Sequence, residues 1–365
     1  MEYQIKLLNK STLEAYVNSE SYLQSDIWPI SFHEVASLVN NPRLDPGDVI
    51  LVVAEFESRL VGCQSILSDW VFSGNKKHKA GWLSASWIGQ EHRRKGLADI
   101  LLNEVSKAWN GRLLFSSQST KSNKKVSVNF VEYLVKNGCR FHMKSNLTES
   151  LPLKYPFLKR FDGILPAADF LFNDYVLPFI TDMGMKSRLS YSILIKSKLN
   201  EEECALLFEK NLTRRTSTEL NWAIEFPWIL ELNEMDEKVM HKYSFTAGAD
   251  SFKQYFCVIY KSGVLIAIVM ISLKDQQMKV PYYYSADMDI AMIADLIFNE
   301  AWKNTISHID VFEQNLVAEM KLKSAYFAFS KSKNRSYFVS KEIIAVFPEV
   351  MSIKVPDGEG DMIFS

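Results

Sequence analysis

The sequence contains no uninterrupted apolar run of eighteen residues, so it offers no helix long enough to cross a bilayer. Cysteine is scarce. The four cysteines, Cys63, Cys139, Cys204 and Cys257, form no C-x-x-C pair. The N-terminus begins polar and acidic without a secretory signal, so they read as reduced thiols of a cytoplasmic protein. An excess of one charge is also missing. Lys and Arg number 42 against 43 Asp and Glu, a formal net charge of −1, which argues against a nucleic-acid partner. The six histidines show neither H-x-x-x-H nor H-E-x-x-H spacing, so no metal is expected. No G-x-S-x-G, Walker loop or nicotinamide fingerprint occurs. What remains is a globular composition, 47% hydrophobic and 23% charged, in 365 residues, a length that suggests two domains.

The most informative stretch runs from Trp82 to Trp109. Trp82–Ile88 reads as a strand, Gln90–Lys95 as a charged elbow, and from Leu97 the apolar residues fall at helical spacing. A helix N-terminus presents unpaired N–H groups and the positive end of the macrodipole. Arg93, Arg94 and Lys95 add charge there, a combination suited to a pyrophosphate. Upstream, a strand over residues 3–8 precedes a helix capped by Ser11 or Thr12, and Val49–Phe56 and Leu60–Leu67 form a hairpin. Gly74–Lys79 reads as a solvated loop. Downstream, Asn110-Gly111 ends the helix, Arg112–Ser116 is a strand, and a helix is expected from about Lys124 to Lys136 with a strand from Arg140.

Arg93-Arg94-Lys95-Gly96-Leu97-Ala98 fits R-x-x-G-x-A and resembles the signature loop of the GCN5-related N-acetyltransferase (GNAT) family. The resemblance implies that this loop joins strand β4 to helix α3 of that fold and holds the coenzyme A pyrophosphate. Trp87, Ile88, Arg93, Arg94, Lys95, Gly96, Leu97 and Ala98 are then the acyl-CoA-binding residues, with acetyl-CoA as co-substrate. A backbone amide near Ile88 would polarise the thioester carbonyl. The family's variable α1–α2 region shapes the acceptor site, which makes Trp28, Phe32 and His33 candidate substrate contacts, against closure of the core. The family's Y-x-x-x-G-F strand is matched loosely by Tyr133, Gly138 and Phe141, with the tyrosine one residue early. By that resemblance Tyr133 is the candidate general acid, against a buried structural tyrosine. Asp69 and Ser84 are guesses for the base, and His92 reads as a loop residue.

The second half repeats the pattern: strands at residues 191–195, 256–260, 264–271 and 280–284, a helix from Glu201 to Lys210, a helix capped by Asp289, a strand over Ile306–Phe312 and a helix over Leu316–Leu322. Matched elements are offset by about 188 to 204 residues. Where the first copy has Arg93–Ala98, the second has Ser285-Ala286-Asp287-Met288-Asp289, with two acids and no glycine, so it is not expected to bind coenzyme A. Arg335–Val346 reads as a late strand and Pro356–Gly360 as an acidic turn.

The sequence therefore implies an α+β (α/β) architecture of tandem GNAT-like domains, each a mixed, mostly antiparallel sheet flanked by helices. Residues 1–150 are the acyl-CoA domain, 151–188 an aromatic and proline-rich interdomain segment, and 189–365 a degenerate copy. In the 151–188 segment, Lys154, Lys159 and Arg160 keep peripheral membrane contact open. The implied activity is acyl-CoA-dependent N-acyl transfer to a primary amine of a small molecule or sugar. The alternatives are a non-catalytic acyl-CoA-binding or interaction protein, and a Fem-like peptidyltransferase.

Overall fold

The computed structural model describes residues 2–117, 129–145, 148, 155, 157, 160, 163–176, 191–205, 211–235, 241–285 and 289–364. The first expected hairpin is present. Strand β1 (Gln4–Leu8) pairs with β2 (Leu51–Phe56), and β2 turns into β3 (Arg59–Ser73) through Glu57 and Ser58, both in the left-handed region at φ 50° and 61°. That turn geometry matches the twist of a tight hairpin. Between β1 and β2 lie α1 (Lys10–Val17), α2 (Glu20–Leu23) and α3 (Phe32–Val39). The cap of α1 is Asn9 instead of Ser11 or Thr12. Its side chain accepts from Thr12 N at 3.1 Å while Thr12 Oγ1 accepts from Asn9 N at 2.9 Å, so Thr12 is the reciprocal partner and the helix begins two residues earlier.

Gly74–Lys79 is not a free loop. Strand β4 (Lys76–Ile88) pairs with β3 down to Ser73↔Lys76, leaving only the turn at Gly74 and Asn75. Strand pairing overrides the polar composition here because Lys77 and Lys79 place their ammonium groups 4.5 and 4.8 Å from the Trp70 ring centre. Helix α4 (Leu97–Ala108) follows, then β5 (Leu113–Ser117). Buried Leu97, Leu101 and Val105 join Val52, Ile66 and Phe115 in one apolar cluster, each large side chain contributing roughly 1.5–3 kcal/mol by burial. Gly62 permits that approach, since a β-carbon there would stand 3.1 Å from Leu97 Cδ2 and 3.2 Å from Leu101 Cδ1.

The helix expected over residues 124–136 is instead strand β6 (Phe130–His142), the residues before 129 lying outside the described set. Phe130, Val131, Tyr133, Val135 and Phe141 favour a strand, and from Cys139 to His142 buried and half-buried residues alternate as in a half-buried strand. The remaining strands are β7 (Ser192–Lys196), the short parallel pair β8 (Leu230–Glu231) and β9 (Gly248–Ala249), β10 (Phe252–Lys261), β11 (Val264–Lys274), β12 (Gln277–Ser285), β13 (His308–Val311) and β14 (Phe329–Ser340). The remaining helices are α5 (Ile164–Leu171), α6 (Glu201–Ala205), α7 (Ser217–Glu225), α8 (Ile290–Lys303), α9 (Gln314–Leu322) and α10 (Lys341–Val346). Residues 206–210 of the expected 201–210 helix are outside the described set. The late strand over 335–346 stops at Ser340, whose side chain caps α10.

The chain divides into two compact units, Met1–Val135 with Lys196–Tyr255 and Arg335–Ser365, and Lys136–Ile195 with Phe256–Asn334. Strand order in the first is β1-β2-β3-β4-β5-β14, and in the second β7-β10-β11-β12-β13-β6. Each unit thus takes its last strand from the other half of the sequence. β14 pairs antiparallel with β5, Ser336 opposite Ser117, and β6 pairs antiparallel with β13, His142 opposite His308. Such an exchange of strands is invisible to a reading that divides the chain linearly. Within each unit the pairing is mixed and mostly antiparallel, with parallel pairing at β4–β5 and β12–β13. No helix among the described residues is long and apolar enough to cross a membrane.

Pro356–Gly360, expected as an acidic turn, turns at residues 357–359 and is buried in the first unit. Asp69 of β3 accepts from Arg43 Nη1 at 2.7 Å and Arg215 Nη2 at 3.2 Å, and Arg43 Nε donates to Glu219 at 2.7 Å. Arg215 also donates to the carbonyls of Gly358 and Gly360 at 3.1 and 3.2 Å, and Thr213 donates to Glu359 at 2.6 Å. The ionic network ties three distant segments of sequence to one sheet face, and each buried charge has a partner.

Candidate functional site

Strands β4 and β5 are parallel neighbours only at Gly81↔Leu113 and Trp82↔Leu114. Beyond Trp82, β4 stays with β3 out to Gly62↔Ile88, while β5 pairs with β14. The two edges therefore take different partners, and β4 carries its backbone on to the elbow. A register shift opposite Gln64–Ile66 marks a bulge between Leu83 and Ser86. At the bulge Gln64 Nε2 donates to Ser84 O at 3.3 Å, and Ser84 Oγ is buried without a hydrogen-bond partner.

The elbow follows directly. A short 3₁₀ turn, Gln90–His92, leads into Arg93, whose Nε donates to Ile88 O at 3.0 Å and fastens the loop to the strand end. Arg94 at φ 62° and Gly96 at φ 82° are both left-handed, and Gly96 is the N-cap of α4. Glycine has no side chain, so α4 begins with no side-chain cap. Asp99 N and Ile100 N bond back to Gly96 O at 3.0 and 3.1 Å, which leaves Leu97 N–H and Ala98 N–H as the first-turn donors facing outward. A β-carbon at Gly96 would meet nothing within 4 Å, so the space over the turn is open. Arg93, Arg94, Lys95 and Ala98 are exposed, Leu97 is buried in the core, and Trp87 and Ile88 are half-buried at the strand end. The sequence-based coenzyme A residues therefore converge on one uncapped, cationic helix N-terminus, which fits a diphosphate.

Other candidates are held elsewhere. Trp28 is buried, stacked on Tyr22 with centroids 5.1 Å apart, its Nε1 donating to Tyr22 O. His33 Nε2 lies 2.7 Å from Trp228 O, while Phe32 is partly exposed. Asp69 is engaged by two guanidinium groups, and His92 packs against Tyr3 and Phe56, with Tyr3 Oη 3.2 Å from its Nδ1. Tyr133 lies on β6 and its hydroxyl donates to Ile353 O. Among the described residues no group of three or more His, Cys, Asp or Glu is arranged to hold a metal ion, and all four cysteines are free and buried.

The sequence reading passed over Glu34. It follows Ser31, the N-cap of α3, at capping-box spacing, yet its carboxyl turns inward. It receives hydrogen bonds from Ser65 Oγ at 3.3 Å and from the Tyr243 hydroxyl. Burial pushes this carboxyl up to about 7 against the lowering effect of those bonds. Its spacing from Ser31 was the available signal, but its inward partners come from β3 and from residue 243, far away in sequence.

The Acetyltransferase (GNAT) family model matches residues 12–125. No curated protein matches the chain in sequence. Among solved structures, Saccharomyces cerevisiae N-myristoyltransferase with bound myristoyl-CoA aligns over 93% of this chain and 78% of its own, with 12% identity and a TM-score of 0.53. A second crystal structure of that yeast protein with bound myristoyl-CoA covers 93% and 82% at 11% identity, with a TM-score of 0.50. A GCN5-related N-acetyltransferase from Anabaena variabilis covers 93% and 72% at 10% identity, with a TM-score of 0.49. The parting of β4 from β5, the bulge and the elbow at Gly96 all lie within the residues that match the GNAT acetyltransferase family model.

Proposed function

We propose that this chain is an acyl-CoA-dependent N-acyltransferase that acylates a primary amine of a small molecule or sugar. The observation that carries the reading is the uncapped N-terminus of α4, set at the end of β4 beneath three exposed cations. Acyl-CoA supplies the activated acyl group as a thioester. The amides of Leu97 and Ala98 and the side chains of Arg93, Arg94 and Lys95 hold the diphosphate, and Gly96 keeps the approach open. Trp87 and Ile88 lie beside the pantetheine arm, where backbone N–H groups of β4 no longer paired with β5 are positioned to polarise the acyl carbonyl. The bound myristoyl-CoA of the yeast protein of similar fold supports an acyl-CoA site and widens the range of chain lengths to test.

Tyr133 is the proposed proton donor to the departing thiolate, a role that requires its hydroxyl to exchange Ile353 O for the sulfur. A fall of roughly 10²-fold in kcat for Tyr133→Phe at constant KM supports this role. An unchanged kcat removes it. The whole reading is tested by calorimetry with acetyl-CoA and longer acyl-CoAs, followed by an amine panel scored by thiol release. One site per chain with acceptor-dependent thiol release is expected. Binding without turnover on any amine would turn the reading toward a non-catalytic acyl-CoA-binding protein, and absence of binding would refute it.

A further inference from the structure

Helix α5 continues without a break into a wider turn over Phe172–Val176, giving thirteen helical residues in the second unit. An ordinary surface helix turns its apolar stripe inward and its polar face to water. This one is reversed. The only buried residue of α5 is Asp169, a carboxylate. Its Oδ1 accepts from Ser145 Oγ at 2.7 Å, and its Oδ2 accepts from Thr148 N and Thr148 Oγ1 at 2.8 and 2.7 Å. One turn later Asn173 accepts from Ser145 N at 2.7 Å and donates to Ser145 O at 2.8 Å. Two polar side chains four residues apart therefore anchor the helix by five hydrogen bonds.

The outer side carries Ile164, Phe170, Leu171, Tyr175 and Val176, which are 45–64% exposed. Phe170 and Tyr175 pack edge to face, 5.6 Å between centroids, so the exposed aromatics form one surface. Asp169 and Asn173 are satisfied internally and, Asp174 excepted, the exposed side chains of this helix are apolar, a distribution that suits a medium less polar than water.

We propose that this inverted helix is a membrane-interface element that seats the protein on the surface of an anionic bilayer. Thirteen residues at 1.5 Å each reach about 20 Å, short of the ~30 Å hydrocarbon core, so the helix lies along the surface instead of spanning. Charge selects lipid as the occupant. In sequence, residues 151–188 hold five basic residues against three acids once the internally bonded Asp169 is set aside, and of these Arg160 and Asp174 are described and exposed. Anionic headgroups complement that balance, and Phe, Leu and Tyr are the side chains that insert at the boundary of headgroup and acyl chain. Lys154 and Lys159, which first suggested such a contact, lie outside the described residues, and the inverted polarity of α5 stands without them.

The test is flotation of the full chain with phosphatidylcholine vesicles, with and without a quarter phosphatidylglycerol. The protein should float with the anionic vesicles, and Phe170→Ser combined with Leu171→Ser should lower partitioning at least tenfold at an unchanged circular dichroism spectrum. Leu322→Ser, a more exposed apolar site on α9, should leave partitioning unaltered. Arg160→Glu should weaken binding to anionic vesicles only. Failure to float with either vesicle overturns the proposal, as does a double variant that floats as well as the parent. A parent that self-associates through this face, becoming monomeric in the double variant without binding vesicles, overturns it equally and assigns the face to a second copy.

Discussion

The β4–α4 and β12–α8 junctions share one frame and differ in the cap, the charge and the length of the elbow. In each, a strand pairs briefly in parallel with the strand that follows the helix: Gly81 and Trp82 with Leu113 and Leu114 in one, and Gln277, Met278 and Lys279 with His308, Ile309 and Asp310 in the other. Each strand then outruns that pairing, to Ile88 and to Ser285. At the first junction the helix starts from Gly96 with no side-chain cap. At the second, Asp289 Oδ1 accepts from Met292 N at 3.0 Å and Asp289 N donates to Ser285 Oγ at 3.1 Å. A cap raises helix stability by about 1 kcal/mol, while also supplying the anion that the helix dipole would otherwise draw from solution. A side-chain cap and room for an outside anion are alternatives at the same amides, and the two junctions differ in having that cap.

Converting the first junction into the second should produce the largest effect. Gly96→Asp places a capping carboxylate at the N-terminus of α4, and Asp tolerates a left-handed φ better than a β-branched residue. The fold should persist while acyl-CoA affinity falls at least a hundredfold, about 2.7 kcal/mol. Gly96→Val should also weaken binding, by an order of magnitude or more, with a cost in stability from the φ of 82°. Calorimetry on the folded variants decides it, and an unchanged dissociation constant for Gly96→Asp would break the comparison.

The units also differ in how their buried carboxyls respond to pH. Glu34, in the first, is raised from its ordinary 4.5 to about 7 by burial, with Tyr243, Ser65, Cys63 and Asp361 as its surroundings and no paired cation in the hydrogen bonds it makes. Asp310, in the second, is lowered. Burial works to raise it, but Arg140 Nε and Nη2, both at 2.6 Å, and Lys333 Nζ, at 2.8 Å, outweigh that. The folded state binds the extra proton at Glu34, so stability falls as pH rises from 4.5 toward about 7. At Asp310 the ion pairs contribute above the ordinary value of 3.8, and the contribution is lost as pH falls below it. Glu34→Gln should flatten the decline in melting temperature between pH 4.5 and 7, and Asp310→Asn should destabilise at pH 7 by roughly 1–3 kcal/mol. A Glu34→Gln melting profile parallel to that of the parent would show the carboxyl to be ionised throughout.

What the sequence revealed was local. The hairpin turn at Glu57 and Ser58, the elbow from Gln90 to Gly96 and the Asp289 cap are each specified by residues within a few positions of one another. Residues 130–136 of β6 were expected as helix, while the strand expected from Arg140 is present and pairs with β13, a partner about 170 residues away. Lys76–Lys79 looked like loop because four polar residues concealed a strand whose ammonium groups rest on Trp70. The turn at Pro356–Gly360 was legible, but its burial was not, because nothing nearby announces that Arg215 and Thr213 will bind it. The strand–elbow–helix geometry at Gln90–Gly96 was legible because helix-terminus structure is itself local. The surroundings of Glu34 were not, since they come from Ser65 and Tyr243.

The smallest expected effect bears most directly on the second copy. Asp289→Ala removes the carboxylate from the N-terminus of α8 and leaves Met292 N–H without its side-chain acceptor. The loss should be about 1 kcal/mol, visible as a lowered melting temperature of a few degrees or less. Acyl-CoA stoichiometry should nonetheless stay at one per chain, because that junction lacks the three consecutive cations and the positive-φ glycine of the first. The elbow there also has four residues between Ser285 and Ile290, against eight between Ile88 and Leu97, too few to wrap a diphosphate with successive amides. Calorimetry on Asp289→Ala separates two origins of the second copy's silence. A new weak site would mean that the carboxylate alone closes it, and an unaltered single site would mean that the shorter backbone does so as well.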